Sequence, residues 1–340
     1  MTILNGELRS ADLGEARPQR GPITRFVIAN RRALSSLLVF LVLLAAFILA
    51  SPQVFLNPGM YVAIFRTLPV SIILATSLVF VIASGEIDLS FGSVVGITAW
   101  AFSVVLGWGI NPFIAVLAAV LMGAFVGFIN GIIVTRLGLS SLVSTLGMSF
   151  LLRGFINVAT QGEGFPLTYL RDTPFYNAFI GQIGGIPAHA LWALGFIVVG
   201  ILLFNYHRFG THICCVGDNL ESAREMGINS AKIKTMAFIY VGIASAISAI
   251  LFSLTNQIVY PTTGDGLLLP TLAAVFVGGT PGWGGVGSIA GAAIGACTVG
   301  IIESGIVATG FSHLFKEFFY GLILILALTA HKVSDPRRQG

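Results

Sequence analysis

The sequence predicts an all-α fold, a polytopic integral membrane bundle of about ten transmembrane helices. Three observations carry that expectation. Of the 340 residues 56% are hydrophobic and only 9% charged, whereas roughly a quarter of the residues in a soluble domain are charged. Apolar runs recur at about the 20 residues that one bilayer crossing takes. Those runs are long and unbroken, as from Leu37 to Ala50, which argues against the short alternating strands of a transmembrane barrel. In lipid every backbone polar group must be satisfied internally, and a helix does this within one segment.

Taken in order, residues 1–33 are polar and Arg-rich, with Glu7, Asp12 and Glu15. They lack the short apolar core and small-residue cleavage site of a signal peptide and are expected to form a cytoplasmic tail. A single membrane domain follows over 34–330, with a second cytoplasmic tail at 331–340. Its spans are expected near 34–51, 59–83, 91–108, 112–135, 139–159, 187–206, 235–257, 266–280, 286–308 and 313–330. The eighth and tenth are short, and the Gly-rich eighth and ninth admit a broken or re-entrant path, so the range is about eight to eleven. An even count places both termini on one side. Lys and Arg choose that side, because 14 of the 18 fall in the tails and loops that share it, which makes it cytoplasmic. Topology therefore explains the pI of 9.1, and no nucleic-acid partner is needed.

Within the spans, Pro69 and Pro270 are expected to kink their helices. Gly123, Gly127 and Gly131 recur every fourth residue, as do Gly287, Gly291 and Gly295. Each set lines a helix face that permits close approach, within the chain by default or between chains. Arg66, near the outer end of its span, is expected to snorkel. Arg153, two-thirds along its span, either snorkels or faces a water-filled pathway, with Glu303 as its expected partner.

The segment Ser84-Gly85-Glu86-Ile87-Asp88-Leu89-Ser90-Phe91-Gly92-Ser93 sets two carboxylates and several helix breakers between spans. Either Glu86 and Asp88 lie at the inner mouth of a pathway, as a gate or a subunit contact, or Asp88 or Ser90 caps the next helix. Neither reading makes them an acid/base pair. The longest inner loop, 207–234, centres on a short helix in which Asp218 suits the N-cap and Glu221 completes a capping box. Gly227 fits the left-handed stop, and small Ala223 offers a partner close approach. So short a helix is marginal alone, so it docks on something or is a solvated linker.

Cys214 and Cys215 are adjacent and Cys297 lies in a span, so they offer neither a disulfide framework nor a zinc spacing, and packing is their expected role. The five histidines, at 189, 207, 212, 313 and 331, form no ligand spacing, and no metal site is expected. No Gly-x-x-x-x-Gly-Lys-Ser/Thr loop is present, so the chain carries no recognisable ATPase machinery. No nucleophile motif supports a membrane enzyme. A faint repeat matches Val79-Phe80-Val81 and Gly92-Ser93-x-x-Gly96 to Val275-Phe276-Val277 and Gly287-Ser288-x-x-Gly291, which suggests two equivalent corners.

Three stretches then resemble one family in register. Val216 to Ile228, with Gly-Asp-Asn, a central Ala and a closing Gly-Ile, resembles the coupling loop of permease subunits of ATP-binding cassette importers, in the ribose/xylose/arabinose/galactose branch. Ser84 to Ser93 is similar to that branch's Gly-Gly-Ile-Asp-Leu-Ser-x-Gly-Ser signature. Gly278-Gly279-Thr280-Pro281-Gly282-Trp283-Gly284-Gly285-Val286-Gly287-Ser288 is similar to its Gly-Gly-Thr, Gly-Gly-x-Gly-Ser stretch. Lesser matches lie at Gly127 to Arg136, at Thr145-Leu146-Gly147 with Arg153-Gly154, and at Gly321 to Leu324. The chain departs from the family where Glu86 replaces a Gly and where Glu303-Ser304-Gly305 replaces an Asn-Asn-Gly-like stretch.

The resemblance implies a bacterial inner-membrane permease subunit that forms the pathway for a monosaccharide, a pentose or related sugar. It implies a cytosolic ATPase subunit that uses ATP and Mg, while this chain binds no cofactor. That ATPase would grip Gly217, Asp218, Asn219, Glu221, Ala223 and Gly227. A periplasmic sugar-binding protein would dock on the outer loop from about Gln161 to Ile186, and a second permease chain, as a homodimer, would complete the pathway. Glu86, Asp88, Ser90, Arg153 and Glu303 are its pathway or gate candidates. A secondary transporter remains the alternative from another class, and it would call for a mid-membrane coupling carboxylate. A branched-chain amino-acid permease is the competitor within the class, disfavoured by Ile87-Asp88-Leu89-Ser90.

Overall fold

The computed structural model describes residues 30–308 and 312–333. Both tails are expectations that fall mostly outside those residues, and Arg9, Arg17, Arg20, Arg25, Arg337 and Arg338 lie there. Besides two short helices, Pro52–Phe55 and Pro174–Phe179, the helices are α1 (Arg31–Ala50), α2 (Pro58–Ala83), α3 (Phe91–Gly107), α4 (Pro112–Thr135), α5 (Ser141–Thr160), α6 (Ala188–Ile201), α7 (Arg208–Asp218), α8 (Leu220–Glu225), α9 (Ser230–Asn256), α10 (Leu268–Val277), α11 (Ile289–Ala308) and α12 (Lys316–Val333). Helix α6 runs on as a π-helical segment, Leu202–Tyr206. Helices α1–α6 and α9–α12 correspond to the ten expected crossings. Among the described residues, seven helices are long and apolar enough to span alone, and α3 and α10 are shorter apolar helices. The face on which the basic residues gather is called inner here.

Starts on the outer face follow directly from sequence. Pro58 and Pro112 open α2 and α4, where a missing N–H costs nothing. Asn57 and Asn111 precede them, and their side chains accept from Gly59 N at 2.8 Å and Phe113 N at 2.9 Å. Outside, α5 and α6 are joined by a loop that holds a short helix, Pro174–Phe179, and a hairpin pairing Gln182–Ile183 with Ile186–Pro187. Earlier in the same loop, Phe165 and Pro166 pair antiparallel with Val259 and Ile258.

That pairing fixes the entry to the broken crossing. After α9 the chain re-enters as non-helical backbone, with turns over 261–266, and only then forms the 10-residue α10. A helix of that length covers about 15 Å, half a bilayer core. The expectation of a broken eighth span therefore holds, whereas the expected kink at Pro270 does not. Pro270 stands in the first turn of α10, where it breaks no helical hydrogen bond.

Helices α2 and α9 are buried over most of their lengths and make the centre. Away from Arg66 on α2 and from Lys232 and Lys234 on α9, both carry apolar residues all round, the pattern of a helix enclosed by other helices. Helix α4 packs on α9 through Gly123, Gly127 and Gly131. A Cβ at Gly123 would lie 2.2 Å from Gly242 O, and one at Gly127 2.4 Å from Phe238 O. Gly291 and Gly295 seat α11 on α10 in the same way, against Gly278 O and Ala274 O. Both glycine faces are thus seams within the chain. Helix α1 stays peripheral and exposes Leu38, Val42 and Leu49.

Candidate functional site

The three separated motifs meet at one point on the inner face. Gly85, in the turn after α2, has φ +85°, and Gly284 and Gly285, between α10 and α11, have φ +85° and +79°. Between them passes Gly217, near the end of α7. A Cβ on Gly217 would stand 2.0 Å from Ala83 O and 2.6 Å from Gly285 N, and one on Gly284 would stand 2.8 Å from Gly85 Cα. Gly285 N donates to Ala83 O at 2.9 Å. Only glycine permits this approach and these dihedrals together. The two corners that the repeat suggests therefore touch, and α7 is wedged against both.

Glu86 and Asp88 part company. Asp88 is buried, and its Oδ1 accepts from Ser90 N at 2.7 Å and Ser90 Oγ at 2.6 Å. Asn130 Nδ2 on α4 donates to Ser90 Oγ at 2.8 Å. Burial pushes the Asp88 carboxyl up, and the hydrogen bonds from Ser90 and Phe91 oppose that push. Ser90 stands at the N-cap of α3 but makes no side-chain cap bond, so the carboxylate does that work. Glu86 turns away to Lys234 on α9, Oε1 to Nζ 2.5 Å, with both side chains largely enclosed. It thereby ties the motif to the helix that follows α8.

Helix α8 corrects three details of the expected inner helix. Its N-cap is Asn219, whose side chain accepts from Ser222 N at 3.0 Å, and not Asp218. Asp218 is the last residue of α7, which is amphipathic to its end, so the break comes one residue later. Glu221 then lies one position short of the capping-box place. Ala223 is fully buried in the chain's own core rather than open to a partner. The exposed face carries Glu221, Ser222, Arg224 and Glu225. Gly227 ends the helix with φ +78°, as its type predicts. On α7, burial first and Cys215 second push the Cys214 thiol up to about 11.

Helix α5 presents a polar residue every fourth position, which is one helix face. Ser141 Oγ accepts from Ile87 N at 3.1 Å and Thr145 Oγ1 from Leu89 N at 2.9 Å. Ser149 Oγ lies 2.8 Å from Ser93 Oγ, and Arg153 pairs with Asp265. The expected partner of Arg153, Glu303, pairs instead with Lys316, while Tyr320 Oη donates to its other oxygen at 3.2 Å. Glu303 sits beside the start of α12, and the re-entrant turn supplies the carboxylate that α5 meets. Sequence reasoning passed over Asp265, although Gly264-Asp265-Gly266 in an apolar stretch was a visible signal. Arg66 is exposed, near the outer end of α2. Among the described residues, no group of three or more His, Cys, Asp and Glu forms a metal-ligand set.

Comparison with known proteins bears on residues 60–328, which match the family described as branched-chain amino acid transport system / permease component. The chain is 31% identical over 295 residues to the ribose import permease protein RbsC of Escherichia coli, covering 86% of this chain and 91% of that relative. It is 32% identical over 303 residues to the autoinducer 2 import system permease protein LsrC of Yersinia enterocolitica, covering 88% of this chain and 82% of the relative. LsrC of Photorhabdus luminescens is 30% identical over 305 residues, covering 89% and 90%. No solved structure matches the chain.

Proposed function

The chain belongs to the branched-chain amino acid transport system / permease component family, and from that membership we propose that it is the membrane permease subunit of an ATP-binding cassette importer for a monosaccharide. The relatives named for ribose and autoinducer 2 support a small polar cargo over an amino acid, as does the Ile87-Asp88-Leu89-Ser90 signature. In this reading a separate cytosolic subunit hydrolyses ATP with Mg, and a periplasmic binding protein delivers the sugar to the outer loops. Two copies of the chain form the pathway, in a bacterial inner membrane.

One observation carries the proposal: the helix that resembles a coupling helix, α8, is joined through Gly217 to both glycine corners. Closure of the ATPase on the exposed face of α8 would press Gly217 against Ala83 and Gly285. The ends of α2 and α10 and the starts of α3 and α11 would then move as one body, biasing a two-state pathway. Asp88, Ser90 and Asn130 keep the start of α3 fixed to α4 during that movement.

The test is copurification with the candidate ATPase, using Glu221→Arg with Glu225→Arg, which changes only exposed residues. The expected result is a folded permease that no longer retains the ATPase. Retention unchanged would remove the coupling assignment. Absence of sugar uptake by the complete wild-type complex would remove the cargo assignment.

A further inference from the structure

The Arg153–Asp265 pair lies apart from the coupling joint and at a depth where charge is costly. Arg153 stands twelve residues along α5 and seven before its end, so about 18 Å from the inner end and about 10 Å from the outer one. Asp265 reaches the same depth because the chain from Tyr260 to Gly266 is a turn instead of a helix. That turn is firmly seated. A Cβ at Gly264 would stand 2.1 Å from Gly92 O, and one at Gly96 2.8 Å from Thr263 O. Gly264 and Gly266, with φ +93° and +77°, bracket Asp265.

The pair is also open, with 32% of the Arg153 side chain and 39% of the Asp265 side chain uncovered. Charges and irregular backbone at membrane depth do not face lipid; they are enclosed by protein or line a water-filled cavity. A dry protein cover would leave the unused guanidinium N–H groups and carboxylate lone pairs unmatched. Water, or a solute that replaces it, matches them.

We propose that Arg153 and Asp265 form the cargo-reading contact of the membrane pathway, a fork that hydrogen-bonds neighbouring hydroxyls of a neutral polyol as it passes. Arg153 donates to one hydroxyl oxygen and Asp265 accepts from the next hydroxyl. Two opposite charges side by side suit a neutral cargo rich in hydroxyls over one with a net charge. Each bond is modest once exchange with water is counted, so the contact sorts without trapping. The proposal rests on the sugar-permease reading and adds the residues that select within it.

The experiment uses the complete reconstituted importer with one binding protein throughout and a panel of pentoses and hexoses beside their deoxy analogues. Arg153→Gln and Asp265→Asn are compared with wild type. The expected result is a shift of about fivefold or more in the sugar-to-deoxy uptake ratio, towards the deoxy analogue, the size of one lost hydrogen bond. An equal fall for every cargo would make the pair a structural clip and overturn the proposal while leaving the function standing. No uptake of any sugar by the wild type would remove the function, and the proposal with it. Thr262→Cys, on the exposed side of the same turn, serves if both variants fail to fold. In a chain with Cys214, Cys215 and Cys297 changed to Ala, an impermeant thiol reagent should label it, and transported sugar should slow that labelling. An unreactive Thr262→Cys would place the pair off the aqueous path and overturn the proposal.

Discussion

At the scale of single residues, Gly217 concentrates the mechanical argument. The nearest atoms to a Cβ there are backbone, Ala83 O at 2.0 Å and Gly285 N at 2.6 Å, and backbone cannot swing aside as a flexible side chain can. Gly217→Ala must therefore open the joint between α7 and the two glycine corners. The ten crossings do not depend on that joint for insertion, so the variant should reach the membrane and lose about tenfold or more of its uptake, equivalent to about 1.4 kcal/mol or more of lost coupling. Gly147→Ala is the control, because a Cβ there meets nothing within 4 Å and alanine favours a helix over glycine. Uptake by Gly217→Ala equal to that of Gly147→Ala would show that the joint transmits nothing.

At the scale of elements, the bond between Glu86 and Lys234 holds the Ser84–Ser93 turn against α9, with side-chain exposures of 16% and 15%. Removing one partner of so enclosed a pair strands the other charge, whereas removing both does not. Glu86→Ala alone should cost about 2 kcal/mol of stability in detergent, and Glu86→Ala with Lys234→Met should recover most of it. A double-mutant cycle from thermal unfolding measures the difference; additive losses would show that the two side chains do not interact. Elements were also the level at which the sequence spoke most clearly. Span limits came within a few residues, because an apolar run must match a bilayer, and the break before α10 was visible as shortness and glycine. The cap of α8 was misplaced by one because Asp218 and Asn219 both suit an N-cap, and only the packing of α7 decides where that helix ends. The partner of Arg153 was missed for a deeper reason. Which carboxylate meets it depends on how far the re-entrant turn descends, and that depth is set by Gly92 and Gly96 on α3, far away in the chain.

At the scale of the whole molecule, charge predicts the orientation, and orientation decides whether α8 can meet a cytosolic ATPase. Arg136, Arg208, Arg224, Lys232, Lys234 and Lys332 all lie at or beyond the inner ends of helices, while the long outer loop holds Arg171 alone among the basic residues. Positive charge is retained on the cytoplasmic side, which predicts that α8 and the glycine joint face the compartment where ATP is and that the hairpin from Gln182 to Pro187 faces the other. Two exposed positions test this without disturbing packing, Ser222 on α8 and Gln182 in the hairpin. With the native cysteines changed to Ala, Gln182→Cys should react with an impermeant maleimide added to intact cells. Ser222→Cys should react only after the membrane is opened, because its helix lies on the sheltered face. The reverse pattern would turn the molecule over, put α8 out of reach of any cytosolic ATPase, and end the importer assignment however well the motifs agree.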